Sequence, residues 1–88
     1  MITIYKYPIQ IIEAQTVEMP IGAQLLHVGL DPFGNPCIWA KVRNDSDTED
    51  REIHVYGTGH RMNHQSYNHV GSFNQGSFVW HVFSPVKY

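Results

Sequence analysis

The sequence predicts an all-β domain: a small antiparallel sandwich or barrel of about seven short strands, spanning residues 1–88. Three observations lead there. Short runs rich in β-branched and aromatic residues recur along the chain. Clusters of Pro, Gly and Asn separate them at close spacing. No window sustains the roughly 3.6-residue apolar period of a helix.

The elements follow in order. Residues 2–7 (ITIYKY) form the first run, which stops at Pro8. Residues 9–13 make one helical turn at most. Residues 14–19 form a second strand, closed by the turn Pro20-Ile21-Gly22, and residues 23–29 a third. Asp31-Pro32-Phe33-Gly34-Asn35-Pro36 reads as a hairpin loop, and residues 37–42 return from it. Residues 43–51 read as a solvated loop tip, because five of the eight acids fall at positions 45–52. These acids lack the spacing and bend glycine of a calcium loop. Residues 51–56 alternate, with Ile53 and Val55 on one face and Glu52, His54 and Tyr56 on the other. Residues 67–73 and 77–83 flank the hairpin signal Asn74-Gln75-Gly76. The last strand is largely apolar on both faces, which suits a central strand or an interface. Trp39 and Trp80 are expected in the core.

Composition narrows the function classes. Eighty-eight residues allow one domain, which at this size buries only roughly 60% of its unfolded surface. The single cysteine, Cys37, excludes an internal disulfide. Association into a homo-oligomer is therefore the expected route to stability. Six Lys and Arg against eight Asp and Glu give a net charge of −2, which argues against bulk nucleic-acid binding. The N-terminus lacks the pattern of a signal peptide, and no run is long enough to span a bilayer as a helix.

Gly57-Thr58-Gly59-His60 is the most distinctive local sequence. Two glycines allow a sharp turn and close approach to a ligand, and successive amides can form an anion-binding nest. No helix follows, so this is not a dinucleotide or Walker fingerprint. Arg51 and Arg61 flank the turn as phosphate partners, and Tyr56, Tyr67 and Trp80 as stacking partners. The histidines His54, His60, His64, His69 and His81 cluster in the second half. Without cysteine partners they read as polar hydrogen-bonding groups, so neither a metal nor a cofactor is expected. His64-Gln65-Ser66 fits one element of a two-histidine phosphoesterase, but no second His-x-Ser stands out, and no catalytic residue is assigned.

The ordered set Lys6-Tyr7-Pro8, Gln15 with Val17, Met19-Pro20 with Gly22-Ala23, Trp39-Ala40, Gly57-Thr58-Gly59-His60, Val70-Gly71 and Val79-Trp80-His81-Val82-Phe83 resembles a known family. It is the family of small phage and prophage proteins catalogued as a domain of unknown function. The resemblance covers nearly the whole chain. It implies a phage origin and a place in the cytoplasm of the bacterial host. Small phage proteins outside the virion often act against host defence. The expected function is thus a homo-oligomeric, non-enzymatic counter-defence protein that sequesters a nucleotide-derived host immune signal. Its site comprises Arg51, Tyr56, Gly57, Thr58, Gly59, His60, Arg61, Tyr67 and Trp80. The alternatives are a protein-interaction inhibitor of a host defence complex, using the acidic stretch as a phosphate mimic, and a small phosphoesterase.

Overall fold

The computed structural model describes residues 1–63 and 67–85. Among these, seven strands form two antiparallel sheets, and no helix is present. They are β1 (Ile2–Pro8), β2 (Gln15–Pro20), β3 (Gln24–Leu30), β4 (Pro36–Arg43), β5 (Thr48–Gly57), β6 (Tyr67–Gln75) and β7 (Phe78–Pro85). The smaller sheet has the order β1-β4-β3 and the larger one β2-β5-β7-β6. The all-β expectation holds, and the two sheets make it a sandwich. The apolar last strand is central, between β5 and β6.

Alternation explains the core. Val28 and Ile38 of the smaller sheet face Ile53, Val55, Phe73 and Val82 of the larger one. A second cluster holds Met19, Ala23, Ala40 and Val42. Burying each of these larger side chains is worth about 1.5–3 kcal/mol. Residues 9–14 carry the chain between the sheets without a helical turn. Ile9 is buried there against the core. The Gln10 amide donates to Gln15 Oε1 at 2.9 Å, and Gln15 Nε2 donates back to Gln10 O at 2.7 Å. Val55 N donates to Glu13 O at 3.4 Å, which lays this segment along β5.

Three expectations need correction. The strand β5 starts at Thr48, inside the acidic stretch, so the loop tip is shorter than residues 43–51. Pairing with β2 extends it, with Met19 opposite Glu49 and Glu18 opposite Asp50. Met19 is almost wholly buried, and its packing overrides the repulsion of two like charges facing each other across the strands. The hairpin loop of β6 and β7 is Gly76-Ser77, because Gln75 already pairs with Phe78. Trp39 is not a core residue: it is half-buried and opposite Lys6, with its ring 5.6 Å from that of His27.

The sheets approach closely at Gly71, where β6 carries a bulge between its pairs to Phe83 and Val82. A Cβ at Gly71 would sit 2.9 Å from Val28 Cγ2. Gly71→Ala is therefore expected to cost about 1–3 kcal/mol of stability by overpacking. Urea unfolding measures it. An unchanged midpoint would mean that β3 and β6 do not press together there.

Candidate functional site

The turn at residues 57–60 ends β5. His60 N donates to Gly57 O at 3.0 Å, and Gly59 has a φ of +86°, as expected at the third position of a type II turn. The His60 ring folds back over the turn, where its Nδ1 accepts from Gly57 N at 3.1 Å. An amide can only donate, so Nδ1 is the acceptor and the neutral ring carries its proton on Nε2. Gly57 makes this fold-back possible. A Cβ there would lie 2.8 Å from His60 Cε1 and 3.1 Å from Trp80 Cζ3.

The anion nest expected of the double glycine does not form. Gly57 N and His60 N are used within the turn, and Thr58 N donates to Val79 O at 3.3 Å. Three of the four amides are thus committed to the protein itself. Gly57 makes room for the His60 and Trp80 rings, and Gly59 supplies the positive φ of the turn.

What the turn does build is an aromatic shelf. Along the inward face of β7, Val82 is fully buried, Trp80 half-buried and Phe78 61% exposed. Cover by the smaller sheet fades towards this end of the strand. Phe78 and Trp80 lie nearly parallel, with centroids 5.6 Å apart and planes 18° apart. His60 meets Trp80 edge-on at 6.2 Å. A cleft of about 400 Å³ runs along Phe78, Trp80, Thr58 and His60. A second, of about 250 Å³, lies between the turn and residues 11–13, with Glu13, Tyr56, His60, Arg61 and Trp80 in its walls. Asn63 Nδ2 donates to Glu13 Oε1 at 2.6 Å. The Tyr56 hydroxyl is buried, with no hydrogen-bond partner among the described residues.

The outer face of β6 and β7 carries a polar chain. Thr58 Oγ1 is hydrogen-bonded to His81 Nε2 at 2.8 Å, His81 Nδ1 to Ser72 Oγ at 2.7 Å, and Ser72 Oγ to His69 Nε2 at 2.9 Å. Both ring nitrogens of His81 are therefore occupied by hydroxyls. Among the described residues, no three metal-ligating side chains come together. His64-Gln65-Ser66 lies outside the described residues.

The structure thus gathers Tyr56, Gly57, Thr58, Gly59, His60, Arg61 and Trp80 around one turn. It places Tyr67 and Arg51 elsewhere. Tyr67 starts β6 and lines a separate cleft with Glu52 and His54. Arg51 is buried between the sheets, where Nη1 donates to Ala23 O at 2.7 Å. Sequence reasoning left out Phe78 and Ser72. Strand alternation already puts Phe78 on one face with Trp80 and Val82. It does not bring Ser72 to His81, because that meeting depends on strand pairing.

A family model described as a domain of unknown function, DUF7352, matches residues 1–87. The chain belongs to the DUF7352 family. No curated protein and no solved structure matches it. The candidate site of this DUF7352 domain therefore rests on its own geometry.

The separate cleft holds one group with a raised pKa. The Tyr67 hydroxyl donates to the Glu52 carboxylate, and that bond pushes the phenol up to about 12 from its ordinary 10.0. A raised folded pKa gives stability that is complete below the unfolded value and lost as pH rises through the folded one. The difference in urea midpoint between the wild type and Tyr67→Phe should therefore shrink between pH 10 and pH 12. A difference constant across that window would count against the Glu52 bond.

Proposed function

We propose that the chain is a binding protein whose ligand is a nucleotide-derived small molecule held at the turn of residues 57–60. The carrying observation is the parallel pair Phe78 and Trp80, open to solvent beside His60 and Arg61. A planar base stacks well on such a shelf, at about 1–3 kcal/mol per base. His60 presents an Nε2–H donor, and Arg61 supplies the cation for a phosphate. Glu13 suits a sugar hydroxyl or a base amine, which donate to it, and disfavours a phosphate in its part of the cleft. The buried Tyr56 hydroxyl still has hydrogen-bonding capacity to offer.

The setting implied by the sequence resemblance extends this reading. In a phage protein expressed in bacterial cytoplasm, the ligand is a host immune signal, withheld by binding and released intact. Self-association fits the exposed Ile2, Ile4 and Tyr5 on β1, an edge strand. Calorimetric titration with cyclic and ADP-ribose-type nucleotides tests the proposal. Binding is expected, weakened roughly 5- to 150-fold by Phe78→Ser, if stacking contributes as stated. Absence of heat with every nucleotide, in protein shown to be folded, would sink it.

A second reading, an inhibitor that mimics phosphates towards a host defence protein, is favoured by Glu18 and Asp50. They stand exposed and directly opposite each other on β2 and β5. Asp47→Lys with Asp50→Lys abolishes inhibition under this reading and leaves nucleotide binding untouched under the first.

A further inference from the structure

A second site, independent of the turn, follows from Arg51. Its side chain is 9% exposed, and burial lowers its pKa with no acid opposing the shift. Among the described residues, the guanidinium makes one hydrogen bond, Nη1 to Ala23 O at 2.7 Å. Its Nε is buried with no hydrogen-bond partner among the described residues. None of the ion pairs among the described residues includes it. A buried charge left without a counter-charge is strongly unfavourable, and Arg cannot escape by losing its proton. One backbone carbonyl would be satisfied equally well by a neutral donor.

Arg51 also lines a slot of about 300 Å³, and this gives the unmatched charge a meaning. The walls are Ala23 and Leu25 on one side, Asn68 and Val70 of β6 on another, and Ser84 near the end of β7. The slot lies where β3 and β6, the edge strands of the two sheets, come together. Its volume is at the small end of the range for ligand pockets. A guanidinium presents a planar fork of donors, which matches the two oxygens of a carboxylate or a phosphate.

We propose that the slot between β3 and β6 is an oxyanion site, in which a carboxylate or phosphate group of a small ligand pairs with Arg51. It is separate from the turn. Arg51 precedes Gly57 by six residues on β5, roughly 20 Å of extended chain.

The direct test follows the Arg51 Nε–H resonance of the folded protein during titration with inorganic phosphate and, separately, with acetate, against chloride at equal ionic strength. A saturable shift with phosphate or acetate supports the site, and the anion acting at the lower concentration names the ligand class. No shift beyond that of chloride with either anion overturns it. Thermal unfolding supplies a second readout. The effective anion should raise the wild-type midpoint in a saturable way, as any ligand of the native state does. The rise should vanish in Arg51→Met and persist in Phe78→Ser. Without anion, Arg51→Met should unfold no lower than the wild type, since it replaces an uncompensated buried charge with an apolar chain. A rise retained in Arg51→Met would place the anion elsewhere. A markedly lower midpoint without anion would assign Arg51 to structure.

Discussion

Everything in this molecule depends on one contact: Val28 and Ile38 of the smaller sheet packed on Ile53, Val55 and Val82 of the larger one. These side chains supply the desolvated strip that holds two thin sheets together. Three strands cannot cover four. The uncovered remainder is where chemistry becomes possible. At the Phe78 end of β7, the inward face continues past its cover, leaving Phe78 exposed and Trp80 half-buried. Near the Thr48 end of β5, the inward row reaches Arg51, held between the sheets and absent from the ion pairs of the described residues.

Much of this was legible in the sequence, and the exceptions have physical causes. Strand number came from short β-branched runs separated by turn residues. The start of β5 was hidden, because acidic residues favour loops and only their pairing with β2 makes them a strand. The parity that put Ile53 and Val55 on one face extends back to Arg51, so its inward position could be read in advance. The same parity put His54 and Tyr56 outward on a polar face. They do point outward, yet both are buried, because the Tyr67 and Phe83 rings pack beside them. That cover comes from strands distant in sequence, and no local pattern shows it.

At the turn, the backbone is committed differently from what its glycines suggest. Two glycines and a threonine suggested amides aimed at an anion. The amides instead hold His60 and β7 in position. The glycine at 57 is required because an imidazole and an indole occupy the space of its Cβ. Local sequence can announce that a backbone is tightly approached, but not what approaches it.

The hydroxyl–imidazole chain on the outer face bears on whether the turn acts by chemistry or by shape. A general base needs a nitrogen with an available lone pair aimed at a substrate. Both nitrogens of His81 already face hydroxyls of the protein, Thr58 on one side and Ser72 on the other. In either proton direction, one nitrogen donates and the other accepts, so the neutral ring is satisfied as it stands. The chain ties the turn across β7 to β6, and Thr58 N ties it again to Val79. A turn fastened at its threonine, folded under its own histidine and backed by an indole has few ways to move. Rigidity of that kind lowers the entropy lost on binding a flat ligand. It adds nothing to a reaction that would need His81 released.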